Sequence, residues 1–267
     1  MNTKKIIFFD TETTWIESKW LIQLAYTVYT LEYPEEWEIL KNIKSKKDFT
    51  LEKEFNKKIK SDFPIEIWAM AVHHLTEQHI IDNWIDFKDV FNEVQEDFTD
   101  AYLVAHNVQY DRDVLVKSWI NLDSCELVDT FKLSYFLDVN PERYSLQYLR
   151  YFYELYEFRS KITAHDAMWD VLVLEWVFFK LLDIFTKDAN NNEKDALSEF
   201  INITKKPLLL RDWKFWKYKW KNFEDVAKID IWYLDWAYNK LILPKVSSWE
   251  DYDKNLKYTL EVYLWKI

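Results

Sequence analysis

Asp10 and Glu12 stand two residues apart at the end of the apolar run "IIFFD". On an extended segment the side chains at i and i+2 face the same way. The two carboxylates can therefore share a hard divalent cation such as Mg²⁺, which prefers oxygen ligands. A D-x-E pair by itself is common on exposed strands, but this one closes a buried strand, at the carboxyl edge where α/β sites collect. Two later stretches bring residues of the same kind. In "AHNVQYDRDVL" an apolar strand ends at His106 and Asn107, and Asp111 falls in the first turn of the helix that follows. In "AHDAMWD", His165 and Asp170 flank the start of another helix. Each of these has an ordinary structural role open to it. Asp111 and Asp170 are acids at helix starts, where the macrodipole favours them. Asn107 can cap a helix, and His106 can be a hydrogen-bonded core histidine. Taken together, the three pairs arise in order, each at a strand end or a helix start.

The elements that must position them are legible from hydrophobic pattern. Residues 6–10 read as a buried strand, and residues 21–30 as a second, rich in β-branched and aromatic residues. The stretch 36–44, "EWEILKNIK", reads as a third, with Trp37 at its turn. Residues 65–80 read as loop and short helix. Residues 86–98 read as an amphipathic helix with Val90, Phe91, Val94 and Phe98 on one face. A buried strand at 101–107 leads to a helix from about Tyr110, and 125–130 is a strand entering another helix. Ser145 is placed to cap a helix bearing Leu146, Leu149 and Phe152. A long helix runs from about Ala164, with Ala167, Val171, Leu174 and Phe178 as its core stripe. The polar "TKDANNNEKD" opens a linker, set at 186–198, between a domain of residues 1–185 and a small basic module of residues 199–267.

Composition sets outer limits. A net charge of −11 argues against a protein held to nucleic acid by bulk charge alone. It does not exclude carboxylates that hold cations which then meet phosphate. The single Cys125 leaves no pair for a disulfide and no cysteine set for zinc. No apolar run approaches the ~18 residues of a membrane span, and no leader-like segment precedes the first motif. The expected setting is the cytoplasm, away from membranes. One feature is anomalous: the 267 residues include 15 Trp and no Gly, where about 7% Gly is ordinary. Some bacteria decode UGA as glycine, and a table that reads UGA as tryptophan would write Trp at those positions. A bulky aromatic at Trp15, where the chain turns out of the first strand, is the kind of placement that points this way.

The three motifs resemble those of the DEDDh 3′–5′ exonucleases, the group that includes DNA polymerase III epsilon and exonuclease X. "FDTETTW" is similar to their first motif, "VAHNVQYD" to the second and "AHDAMWD" to the third, over about residues 5–180. The segment "IEIWAMAVHHLT" resembles the part of those enzymes that contacts the terminal nucleotide. The resemblance implies an α/β fold, an RNase H-like mixed β-sheet flanked by helices. It also implies two Mg²⁺ or Mn²⁺ held by Asp10, Glu12, Asp111 and Asp170, with His165 as general base. The substrate implied is a single-stranded or frayed 3′ end, with DNA favoured, and a polymerase or repair complex as the assembly such an enzyme serves. Thr13, His73 and Asn107 are the further candidates for substrate contact, each with a plain structural role also open to it. RNA hydrolysis of the RNase T or oligoribonuclease type is the enzymatic alternative, and a non-catalytic nucleic-acid-binding protein the other.

The glycine anomaly meets the same family. Trp15, Trp68 and Trp169 stand where these enzymes usually carry Gly. "RDWKFWKYKWKNFEDV" resembles a small C-terminal module of exonuclease X-like proteins, with Trp216 and Trp220 at its glycine positions. Trp213 and Trp232 are further candidates, Trp236 is expected to be Trp, and Trp20, Trp249 and Trp265 are undecided. Read literally, the aromatic and basic run invites stacking on single-stranded bases. Read as "GKFGKYKGK", it is a basic hairpin whose lysines, Lys217 and Lys219 among them, contact phosphate.

Overall fold

A computed structural model describes residues 2–15, 20–33, 45–81, 84–137, 141–155, 167–191, 195–214, 216–248 and 252–266. The chain divides into two compact units, Met1–Thr204 and Lys205–Ile267.

The first unit is built on a six-stranded mixed sheet. Its strands are β1 (Asn2–Thr13), β2 (Leu21–Tyr33), β3 (Thr50–Ile59), β4 (Trp84–Ile85), β5 (Ala101–Ala105) and β6 (Glu126–Asp129), in the spatial order β4-β3-β2-β1-β5-β6. β1 pairs antiparallel with β2 and parallel with β5. Its alternation explains its central place. Ile6 and Phe8 point into one core, while Ile7 and Phe9 point into the other. A strand apolar on both faces is stable only when both faces are covered.

The helices supply that cover. On the Ile7 and Phe9 side lie α3 (Phe87–Asp97), through Val94, and α4 (Val108–Lys117), through Val114 and Leu115. On the Ile6 and Phe8 side lie α5 (Thr130–Phe136), α6 (Leu146–Phe152), α7 (Ala167–Lys187) and α8 (Ala196–Lys205). The stripe Ala167, Val171, Leu174 and Phe178 of α7 is buried as its spacing predicts. α1 (Ile67–His73) and α2 (Glu77–Ile81) form the short helical segment between β3 and β4. Ser145 occupies the N-cap position of α6, but its side chain makes no capping bond there.

Two elements differ from the sequence expectation. β3 carries "TLEKEFNKKI", with Phe55 and Ile59 its buried side chains; near the edge of a sheet, so polar a strand gives little hydrophobic signal. The residues 36–44 and Trp37 lie outside the described residues. The stretch 186–198 also carries more structure than a linker needs. α7 ends within it and α8 begins within it, and α8 buries Ala196, Leu197 and Phe200 in the first unit's core. The division between units falls at Thr204 and Lys205 because that apolar stripe belongs to the first core.

The second unit has its own core of Trp213, Phe223, Val226, Leu234, Ala237, Leu256 and Leu260. Its helices are α9 (Phe223–Ile229), α10 (Ile231–Ala237), α11 (Leu243–Ser248) and α12 (Lys254–Tyr263). A π-turn over Tyr238–Ile242 joins α10 to α11. Among the described residues no helix is long and apolar enough to cross a membrane.

Candidate active site

β1 delivers Asp10 and Glu12, and the first turn of α7 delivers Asp170. One carboxylate oxygen from each lies within 4.8 Å of the others, a spacing suited to a shared cation. All the donors are hard oxygens, which fits Mg²⁺ or Mn²⁺ and not a thiolate-seeking metal. Asp10 and Glu12 are held rigidly, since β1 pairs with β2 through Thr13 (Asp10 opposite Ala25, Glu12 opposite Gln23). Asp170 is oriented by Gln147 of α6, whose Nε2 donates to its Oδ1.

Asp111 reaches the same end of β1 by a different route. β5 pairs with β1 as far as Phe8 and Val104. Beyond that point β1 continues without β5 beside it, and Asp111 of α4 takes the place of a strand partner. Its Oδ1 accepts from the Thr11 main-chain N–H at 3.0 Å and from the Thr11 hydroxyl at 2.6 Å. Thr11 sits between the two metal-type ligands, so this contact ties α4 to the centre of the site. Asp111 is not one of the three clustered carboxylates. Burial pushes its carboxyl up to about 7, with nearby Asp129 adding to the rise and the Thr11 bonds opposing it. A neighbouring cation would favour the ionised form. α4 is fixed a second time where Tyr110 Oη and Thr13 Oγ1 hydrogen-bond at 2.7 Å.

The RNase T model, described as exonuclease, matches residues 7–178. The chain belongs to this exonuclease family. It is 28% identical over 214 residues to exodeoxyribonuclease 10 of Escherichia coli K12, covering 77% of this chain and 82% of that protein. Among solved structures, exonuclease X in complex with 5′ overhanging duplex DNA matches with a TM-score of 0.50 at 19% identity. That match covers 74% of this chain and 99% of the other. E. coli exonuclease I in complex with a dA16 oligonucleotide matches with a TM-score of 0.50 at 13% identity, over 73% of this chain and 43% of that one. The last two likenesses speak for the fold, the RNase H-like mixed sheet. The protein is thus an exonuclease, a hydrolase of phosphodiester bonds.

The exonuclease site draws on residues that sequence spacing did not single out. Asp129, at the N-cap of α5, accepts from the main-chain N–H groups of Asn107 at 2.9 Å and Phe131 at 3.0 Å. It therefore fixes the turn from which α4 and Asp111 spring. Asn107 adopts a left-handed conformation at the N-cap position of α4, and its side chain makes no capping bond. His106 is half-buried between Thr130, 2.9 Å from Nδ1, and the Tyr144 carbonyl, 2.7 Å from Nε2. A carbonyl only accepts, so Nε2 carries the proton. Burial lowers the imidazole to about 4, which makes His106 a neutral structural histidine. His73 closes α1, buried, with Nδ1 accepting from Leu75 N–H at 3.0 Å. α1 is anchored just beyond the end of β1, where Glu66 N–H donates to the Thr14 carbonyl at 3.0 Å.

His165 lies outside the described residues, two positions before α7 begins. Lys217 and Lys219 belong to the second unit. Lys217 is paired with Asp230 at 2.9 Å, while Lys219 is exposed with its ammonium 5.4 Å from the Trp220 ring. Gln147 and Asp129 gave no sequence signal, because a single Gln or Asp in an amphipathic stretch is unremarkable until its partner is known.

Proposed function

We propose that this exonuclease removes nucleotides one at a time from the 3′ end of DNA and releases nucleoside 5′-monophosphates. The clustering of Asp10, Glu12 and Asp170, with Asp111 anchored on Thr11 between them, is the observation that carries the reading. In it, Asp10, Glu12, Asp111 and Asp170 would hold two divalent cations, Mg²⁺ or Mn²⁺. Such cations, when bound, neutralise phosphate charge and lower the pKa of a bound water. The chain's own groups do the rest. His165 takes the proton from the attacking water, a task suited to an imidazole with an ordinary pKa near 6.5. The water oxygen bonds to phosphorus, and the bond from phosphorus to the 3′ oxygen of the preceding nucleotide breaks. That oxygen leaves, takes a proton from solvent and becomes the new 3′-hydroxyl, and the phosphate stays on the released nucleotide's 5′ oxygen.

Thr13, His73 and Asn107 are assigned to the neighbourhood of the terminal nucleotide, with Thr13 offering its main-chain N–H near the 3′-hydroxyl. The relationship to a protein named exodeoxyribonuclease supports DNA as substrate. The deciding assay incubates the purified protein with 3′- and 5′-labelled single strands of DNA and RNA, with Mg²⁺ or with EDTA. Mg²⁺-dependent loss of the 3′ label from DNA is expected. Preference for RNA, or loss from the 5′ end, would overturn the assignment. Asp10→Ala should lower turnover by the ~10²–10³-fold that removing a group stabilising transition-state charge costs, with the thermal unfolding profile retained.

A further inference from the structure

The two units differ sharply in charge. Residues 1–204 carry 22 Lys and Arg against 37 Asp and Glu, net −15, while residues 205–267 carry 13 against 9, net +4. A unit of net charge −15 offers a polyanion no bulk electrostatic attraction. Within the second unit the positive charge is concentrated in Arg211–Lys221, where Arg211, Lys214, Lys217, Lys219 and Lys221 are all exposed and Asp212 is the only acid. The described residues at the two ends of this stretch are tied together by hydrogen bonds. Trp213 N–H donates to the Lys221 carbonyl at 2.8 Å, Trp220 N–H to the Trp213 carbonyl at 2.7 Å, and Phe223 N–H to the Arg211 carbonyl at 2.8 Å. Asp212 and Asn222 form a β-bridge at its neck, and Trp213 plugs its base into the core. Lys217 is spent on Asp230. Lys214, Lys219 and Lys221 have no carboxylate within ion-pair distance among the described residues.

We infer that this loop is a second nucleic-acid contact, holding backbone phosphates of the strand whose end the first unit hydrolyses, through Lys214, Lys219 and Lys221. The inference rests on the exonuclease reading for the identity of its polyanion. Its recognition is by charge, so it reads no base sequence. The test compares two full-length proteins in the Asp10→Ala background, kept in EDTA so that the oligonucleotide stays intact, with and without Lys214→Ser, Lys219→Ser and Lys221→Ser. Binding of a labelled single-stranded oligodeoxynucleotide of about thirty nucleotides is followed against salt. Three lost contacts should weaken binding and flatten the slope of log affinity against log salt by about 2, at ~0.7 per contact for single strands. Equal affinity and equal slope would overturn the inference. Lys217→Ser alone should change the slope less than any of the other three single variants. Loss of 3′ label by the unmodified protein is read separately, so failure of the activity and failure of the loop are told apart.

A different observation carries a second inference. Eight described residues other than glycine have positive φ, and four of them are Trp119, Trp216, Trp220 and Trp265, although Trp is 15 of 267 residues. Trp119 and Trp265 occupy equivalent places. Trp119 N–H donates to the Val116 carbonyl and Ile120 N–H to that of Leu115 at the end of α4; Trp265 N–H donates to the Val262 carbonyl and Lys266 N–H to that of Glu261 at the end of α12. This is the Schellman closure, whose left-handed residue is usually Gly. Both indoles project into solvent, 86% and 91% exposed. Glu154 closes α6 in the same way, so the geometry tolerates another residue at a cost. Trp213 is the contrast. It is wholly buried against Phe223 and Tyr233, and glycine there would leave a large cavity.

The structure assigns glycine to positions 119, 216, 220 and 265 of the natural polypeptide, and tryptophan to 213. This reading parts from the candidacy of Trp213 and adds two positions, Trp119 and Trp265, that the family motifs did not decide. Trp15 is not among the left-handed residues, and Trp68, Trp169 and Trp232 lie in helices, where the backbone does not distinguish the two. Peptide mass spectrometry of the protein from its source cells decides the matter, together with the codons. Glycine masses with UGA at 119, 216, 220 and 265, and a tryptophan mass with UGG at 213, are expected. Tryptophan masses at the four left-handed positions would overturn the assignment.

Discussion

Asp111 accepts two hydrogen bonds from one residue, Thr11, through its main-chain N–H and its hydroxyl. Thr11 stands between Asp10 and Glu12 on β1, so the carboxylate from α4 is registered against the strand that carries two of the clustered carboxylates. Removing the hydroxyl while keeping the shape should loosen Asp111 and leave the strand intact. Thr11→Val is therefore expected to raise the Mg²⁺ or Mn²⁺ concentration needed for half-maximal activity by about 10-fold, as loss of a group orienting a metal ligand typically does. Thr11→Ser should restore it. A cation requirement unchanged in the valine variant would show that the hydroxyl does not position Asp111.

A second buried acid, Glu175, lies five residues beyond Asp170 on α7 and serves the fold. Its carboxylate accepts from the Thr27 hydroxyl at 2.7 Å, the Tyr29 hydroxyl at 2.9 Å and Lys46 Nζ at 2.9 Å. The Thr27 and Tyr29 bonds fasten α7 to β2, and burial beside Glu175 pushes the Tyr29 phenol far above its usual range. Glu175→Ala strands two buried hydroxyls and should cost about 2–3 kcal/mol in urea unfolding. Glu175→Gln, which retains an acceptor, should cost less than half as much. Equal losses in the two variants would mean that volume, not hydrogen bonding, is what matters there.

His106 gives the fold a pH dependence of its own. Its folded pKa is lowered to about 4 by burial, against ~6.5 in the unfolded chain. The fold binds fewer protons at this group, so its contribution is fully present above pH ~6.5. It is lost as pH falls from there towards 4, by about 3 kcal/mol in total. His106→Gln should have a shallower fall in unfolding free energy between pH 7 and pH 5 than the unmodified protein. Parallel curves would show that other groups set the acid limit.

Much of this was readable in the residues. The unbroken apolar run in "IIFFD" reads as a buried strand, and the order of Asp10, Glu12, Asp111 and Asp170 points to a site assembled at strand and helix ends. What spacing could not give was how the acids are held. Thr11 and Asp111 are separated by a hundred residues, and nothing in either neighbourhood names the other. Asp129 likewise reads as the last residue of a strand until its carboxylate is seen to hold the turn at Asn107. β3 escaped notice because its outward side chains are charged, so it lacks the apolar alternation that marks β1 and β2. Trp15 raised the question of hidden glycines, yet the backbone makes its strongest case at Trp119, which no motif covers. A Schellman closure is defined by hydrogen bonds, and these leave little trace in a sequence from which glycine is missing.

The stability of the tryptophan-bearing chain offers a further measurement. At Trp119 the left-handed backbone crowds Cβ against the following carbonyl, a penalty of about 1–2 kcal/mol for an L-residue. Its indole is exposed and buries little surface in return. In recombinant protein with Trp at every written position, Trp119→Gly should therefore raise the unfolding free energy by about 1 kcal/mol. Trp68 is a control of opposite sign. It too is exposed, but it lies inside α1, where glycine is a poorer helix former than Trp by about 0.5 kcal/mol. Trp68→Gly should thus lower stability slightly or leave it level. Urea titrations of the two single variants beside the parent protein measure both signs at once. A loss of stability at Trp119→Gly equal to that at Trp68→Gly would show that the left-handed turn at the end of α4 imposes no strain on its indole-bearing residue.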